Sequence, residues 1–118
     1  MKVRILNNPA LRSDGTTGRC FILQEPMYCV VDGRVVTVPA GFNTDFASIP
    51  GFATPIVPKL GKYNRAAILH DYIYREKTFS RAECDLIFRV AMQALGVSWW
   101  RRNAMWLAVR IGGGSHFG

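Results

Sequence analysis

The residues best suited to chemistry lie together in His70-Asp71-Tyr72-Ile73-Tyr74-Arg75. On a helix, positions 70 and 74 share a face, so the imidazole and the Tyr74 ring line up on the side that also carries Tyr63 and Ala67. Asp71 points about 100° further around, toward Asn64 and Arg75. A histidine among Tyr and Ala on an apolar helix needs a polar partner, because unpaired burial costs on the order of 1–3 kcal/mol. Two acids from other segments can supply one: Asp45, set in the otherwise apolar stretch around Phe42 and Phe46, and Asp85. Either would hold the imidazole in one tautomer and make it more basic, which is how a general base is oriented. His70, Asp45 and Asp85 are therefore the catalytic candidates, with Tyr74 and Arg75 behind them. If Asp45 and Asp71 converge instead, their oxygens suit a Ca²⁺ or Mg²⁺ ion. Plainer roles compete with these. His70 fits a structural hydrogen-bonding residue, Asp71 with Arg75 and Asp85 with Arg89 fit i,i+4 ion pairs, and Asn43–Asp45 fits an Asx-type turn.

Other constellations are missing from the sequence. There is no GxSxG, GxxxxGK[ST] or GxGxxG, and Ser48 has no local support as a nucleophile. Cys20, Cys29 and Cys84, with two histidines, lack the spacings of a structural zinc site. An odd cysteine count without CxxC reads as reduced core thiols. A second group lies near the C-terminus. Trp99, Asn103, Trp106 and Arg110 fall on one helical stripe, with Trp100, Arg101 and Arg102 beside it. Trp99, Arg102, Trp106 and Arg110 are the interface candidates. Aromatic rings with Arg suit single-stranded nucleic acid, a bilayer surface or a protein partner, as well as a packed core with a solvated rim.

The elements that must position these groups can be read from turn chemistry and periodicity. Met27–Val31 and Arg34–Val38 flank Asp32-Gly33, the preferred centre of a type I′ hairpin turn, and Pro39 ends the second strand. Arg19–Gln24 is a further short apolar run. From Ala40 to Pro58, prolines and glycines argue against a regular element, while Phe42, Phe46, Ile49, Phe52 and Ile56 are too apolar for a solvated loop. An ordered loop is expected there. Three helices follow. The first covers about Asn64 to Arg75 and is apolar nearly all round, hence central. The second opens with a Ser80/Glu83 capping box and ends at Gly96, with Cys84, Ile87, Phe88, Ala91 and Leu95 as its apolar face. The third runs from about Ser98 to Ile111 and stops at Gly112–Gly114. The expected fold is a single α+β domain over 1–118: strands and loop in 1–59, three packed helices in 60–112, and a mobile tail in 113–118.

Composition sets the outer limits. The chain has 118 residues, 49% hydrophobic and 19% charged, which is the balance of a globular domain. No apolar run approaches the roughly 20 residues of a membrane span, and no signal peptide opens the chain. The net charge is +7, with +2 in residues 1–59 and +5 in 60–118. Eleven of the fifteen basic residues are Arg, and no acid follows Asp85. An acidic partner is expected: nucleic acid, phospholipid head groups or an acidic protein.

Three ordered blocks carry a resemblance. They are Val38-Pro39-Ala40-Gly41-Phe42-Asn43-Thr44-Asp45-Phe46-Ala47-Ser48-Ile49-Pro50, then Ala66-Ala67-Ile68-Leu69-His70-Asp71-Tyr72-Ile73-Tyr74-Arg75, then Ser80-Arg81-Ala82-Glu83-Cys84-Asp85 with Phe88. Over roughly residues 27–113 the chain resembles a family of small phage and prophage proteins catalogued only as a domain of unknown function. That resemblance implies a phage or prophage origin, a place in the host cytoplasm or the virion, and tail or virion assembly as one available role. It implies no activity. Separately, His70-Asp71-x-x-Tyr74 is similar to the helix motif of phospholipase A2. There the His activates water, the Asp binds Ca²⁺ and the Tyr supports the acid partner. Carried over, His70 is the base, Asp71 the Ca²⁺ ligand, Tyr74 the support and Asp85 the partner. The chain departs from that family in having Ile73 where the secreted enzymes have a disulfide cysteine, no glycine-rich calcium loop, and a short spacing from His70 to Asp85. Two functions compete on this basis. One is a hydrolase of an ester or phosphoester. The other is a non-catalytic virion or assembly component, with oligomerisation as one form of it. A nucleic-acid-binding module is the third.

Overall fold

Asp32 and Gly33 both take positive φ, 48° and 80°, the pair of values that a type I′ turn requires. Their turn closes β4 (Met27–Val31) onto β5 (Arg34–Val38), with Val31 opposite Arg34 and Met27 opposite Val38. Strand alternation then buries Met27, Cys29, Val31, Val36 and Val38 and turns Tyr28, Val35 and Thr37 outward. The hairpin and its register are those expected from the sequence. β1 (Val3–Ile5) completes this antiparallel sheet in the order β1-β4-β5. This computed structural model describes residues 1–13, 21–44 and 61–112.

A second antiparallel sheet, in the order β2-β3-β6, is made of β2 (Leu11–Ser13), β3 (Phe21–Leu23) and β6 (Asn43–Thr44). The α+β class holds, but the strands are divided between two small sheets. β6 lies where prolines and glycines argued against any regular element. It needs only two residues, and the backbone before it is already held: Gly41, at φ 87°, donates to the Leu23 carbonyl at 2.7 Å, and Leu23 donates to the Phe42 carbonyl at 3.0 Å. The expected loop from residue 45 to 58 lies outside the described residues, as do the tail 113–118 and Cys20.

The helices are α1 (Gly61–Glu76), α2 (Arg81–Ala94) and α3 (Trp99–Gly112). The capping box that opens α2 is formed as the sequence predicts. Glu83 N–H donates to Ser80 Oγ at 3.2 Å, and Ser80 N–H donates to Glu83 Oε1 at 3.0 Å. The helix ends in a Schellman motif built on Gly96 at φ 87°. Val97 N–H donates to the Met92 carbonyl, and Gly96 N–H donates to the Gln93 carbonyl. Ser80→Ala is expected to lower stability by about 1 kcal/mol, a fall of about 4 °C in Tm for a domain of this size, readable in a thermal melt.

α1 is the most thoroughly buried helix, with Tyr63, Ala66, Ala67, Ile68, Leu69, Ile73 and Tyr74 all in the core. α2 is the helix that touches both others, and it also packs on β1. Its buried face is wider than the sequence suggests, because Asp85 and Met92 join Cys84, Ile87, Phe88 and Ala91, while Leu95 is half-buried. The covering helix is the cause: Met105, Ala108 and Val109 of α3 close over that edge. Cys29 and Cys84 are buried free thiols, pushed up to about 12 by burial, as reduced core cysteines should be. No helix among the described residues is long and apolar enough to cross a membrane.

Candidate functional site

His70 of α1 faces α2 at the seam where the three helices meet. Its Nε2 lies 2.8 Å from Asp85 Oδ1, and both side chains are almost wholly removed from solvent. Two more groups hold the same carboxylate. Tyr74 OH, one turn beyond His70, also donates to Oδ1. Arg110 Nη1, from the last turn of α3, donates to Oδ2 at 2.9 Å. The imidazole packs at a tilt against Tyr74, 4.2 Å between ring centroids, and against Phe88, at 4.6 Å. Its position is thus fixed by one hydrogen bond and two rings.

That geometry sets the tautomer. A carboxylate only accepts, so His70 Nε2 carries the proton and Nδ1 of the neutral ring carries the lone pair. Nδ1 is buried and has no hydrogen-bond partner among the described residues. A ring pinned at one nitrogen, with a basic lone pair left at the other, can take a proton from a nucleophile. The developing imidazolium would then be stabilised by Asp85.

Local sequence explains the assembly. Asp85 sits beside Met92 on α2, which places it in the seam instead of on the outer face. The C-terminal end of α3 is tied down by Arg81, whose Nη2 donates to the carbonyls of Val109, at 3.3 Å, and of Arg110. Cations at the end of a helix are favoured by its dipole. Here Arg81 satisfies carbonyls that the helix leaves open and so sets Arg110 over Asp85.

Burial by itself would raise the Asp85 carboxyl, but hydrogen bonds from His70, Tyr74 and Arg110 outweigh it and hold the group below its usual 3.8. Tyr74 moves the other way. Burial, then the hydrogen bond and charge of Asp85, push its phenol well above the ordinary range, against an opposing effect of Arg81. Because the folded value of Asp85 is depressed, its contribution to stability is complete above about 3.8 and is lost as pH falls through the lower folded value. From roughly pH 5 to roughly pH 2, the Tm of the native chain should therefore fall more steeply than that of Asp85→Asn, a difference that melts across this range would measure.

The remaining candidates are placed as follows. Asp71 is buried and paired with Arg75 Nη2 at 3.2 Å. Arg75 in turn donates to the Asn43 carbonyl at 2.6 Å and lies over the Phe42 ring, so this pair stitches α1 to β6. Asp45 and Ser48 lie outside the described residues. Among the described residues, no three His, Cys, Asp or Glu side chains gather as a metal site would need. On α3, Trp99 is exposed, while Trp106 is half-buried under Arg89. Arg102 donates to the Val97 carbonyl at 3.2 Å. Arg110 belongs to the Asp85 cluster.

The i,i+4 rule pairs Asp85 with Arg89, but the acid turns inward to Arg110, twenty-five residues away, and Arg89 lies on Trp106. Sequence reasoning also passed over Phe88 as a ring against His70, and Arg81. One signal was available. An acid next to a buried methionine on an amphipathic helix requires a cation, and every charged residue after Asp85 is an arginine.

Comparison with known proteins places these residues in a wider setting. The model of a family described as "Protein of unknown function (DUF1353)" matches residues 21–109, a stretch that takes in His70, Tyr74 and Asp85. The chain is similar to the uncharacterized protein y4jT of Sinorhizobium fredii (strain NBRC 101917 / NGR234), being 36% identical over 74 residues. The aligned part is 61% of this chain and 22% of that protein, so the chain spans about a fifth of its relative. No solved structure matches the chain.

Proposed function

The chain belongs to the DUF1353 family, whose description states no activity, and on that premise we propose that it is a small hydrolase in which His70 activates water against an ester or phosphoester. The observation that carries this reading is the state of the ring. His70 is oriented by Asp85 at Nε2, while Nδ1 is a buried lone pair without a partner among the described residues. In the reaction, Nδ1 takes a proton from water as the water oxygen attacks the carbonyl or phosphoryl centre. The proton then passes to the leaving oxygen as the ester bond breaks. Asp85 keeps the imidazolium charge paired throughout, and Tyr74 and Arg110 keep Asp85 ionised and in place.

The proposal extends to a divalent cation, Ca²⁺ or Mg²⁺, with Asp71 as ligand in exchange for Arg75, and with Asp45 as the second acid. The similarity of His70-Asp71-x-x-Tyr74 to the phospholipase A2 helix supports the same division of labour, with a phospholipid ester as one substrate class. Phage or prophage origin belongs to this proposal as well.

The test is hydrolysis of nitrophenyl esters, a nitrophenyl phosphodiester and dispersed phospholipid, each with EDTA and with Ca²⁺ or Mg²⁺ restored. Turnover of one class that disappears in His70→Gln supports the hydrolase, and its loss in EDTA supports the cation. A folded protein without turnover on any class, or a His70→Gln variant as active as the native chain, rejects it. A second reading, a non-catalytic assembly component, is favoured by a specific observation: the outer face of α3 exposes Trp99, Trp100, Leu107 and Ile111. On that reading the Asp85 cluster is a structural knot.

A further inference from the structure

The large apolar side chains on the outside of α3 are not scattered. Trp100, Leu107 and Ile111 fall within an arc of about 40°, and Trp99 and Asn103 border it, so the stripe runs about 18 Å along the helix. Trp99 is 67% exposed, Ile111 66%, Leu107 53% and Trp100 50%. The opposite face carries Met105, Ala108 and Val109 into the core. α3 is therefore apolar on both faces, and among the described residues only one face has a partner. Isolated exposed apolar residues are ordinary, but a contiguous stripe on one helix marks a contact surface.

The charge around the stripe restricts what meets it. Every charged residue of α3 is an arginine. Arg101 lies over the Trp100 ring at 5.2 Å, and Arg89 of α2 lies over the neighbouring Trp106 at 5.3 Å. We infer that the outer face of α3 docks on an anionic phospholipid surface, with Leu107, Ile111 and the two tryptophans at the boundary of head groups and acyl chains and Arg101 and Arg89 among the phosphates. A convex helix face with aliphatic residues between tryptophans and arginines suits that boundary. Nucleic acid would use the rings but gains nothing from covering Leu107 and Ile111. A second copy would bring a net charge of +7 against another +7. The inference stands whether or not His70 acts on a substrate.

The experiment is co-sedimentation of the full chain with phosphatidylglycerol vesicles and with phosphatidylcholine vesicles, with tryptophan emission recorded in parallel. Binding to the anionic vesicles with a blue shift is expected, weakened at least tenfold in Leu107→Ser/Ile111→Ser and weakened by high salt. A thermal melt checks that the variant is folded, and Arg101→Glu provides a second variant with the apolar stripe intact. No binding to phosphatidylglycerol at low salt overturns the inference. So does equal binding to both vesicles, or vesicle binding that neither variant changes. Dimerisation in sedimentation velocity that the double variant abolishes also overturns it, as does saturable oligonucleotide binding that competes with the vesicles.

Discussion

Asp85→Ala is expected to remove about 3–5 kcal/mol of folding free energy, the range for breaking a buried charge pair from one side. The carboxylate accepts from His70, Tyr74 and Arg110, and all three lose it together. The donors do not suffer equally. Arg110 is a third exposed and can turn toward water. His70 and Tyr74 are buried, and each loses an acceptor at roughly 1–3 kcal/mol. These two therefore dominate the loss. A chain of 118 residues loses about 4 °C for each kcal/mol, so the melt should fall by on the order of 10–20 °C. Total stability for such a domain is only about 5–15 kcal/mol, so milder variants complete the series. Tyr74→Phe removes one donor and leaves the carboxylate paired with two, so about 1 kcal/mol is expected. Asp85→Asn keeps the shape and one acceptor oxygen but loses the charge, and it should fall between the two. If Asp85→Ala melts within 3 °C of the native chain, the cluster does not hold the three helices together as described.

The second large effect concerns the rate. His70→Gln keeps an N–H group able to reach Asp85 and removes the lone pair at Nδ1. If His70 is the base, hydrolysis should fall by about 10²–10⁴, the usual contribution of a positioned general base. Stability should change by far less than in Asp85→Ala. Asp85→Asn offers the ring an amide where it had a carboxylate, so the imidazole loses both its preferred tautomer and the charge that stabilises its protonated form. In a Ser-His-Asp triad that substitution costs about 10⁴ in kcat. Measuring kcat and Tm on both variants separates the two roles. A rate that collapses in His70→Gln while the melt holds is catalysis. A melt that falls in step with the rate in both variants is a structural knot, and the hydrolase reading then fails.

Local rules decided a good part of this protein. Asp32-Gly33 determined the hairpin, because few dipeptides take two positive φ values cheaply. Ser80 with Glu83 determined where α2 begins, and Gly96 where it ends, since both devices work within one turn of chain. The spacing of His70 and Tyr74 determined that their rings touch, because a helix puts fourth neighbours side by side. Three strands were harder to see: β1, β2 and β6 have three, three and two residues, too few to show a period, and they pair with β4 and β3. The site itself was half legible. Asp71 and Arg75 followed the i,i+4 rule, but Asp85 did not choose Arg89. That choice was decided in three dimensions, when α3 closed over the edge of α2 and Arg81 anchored its last carbonyls, bringing Arg110 to an acid that was losing its water. A helix-surface pair gains little in solvent, whereas a buried carboxylate must find a cation. Sequence proximity set the first kind of contact, and desolvation on packing set the second.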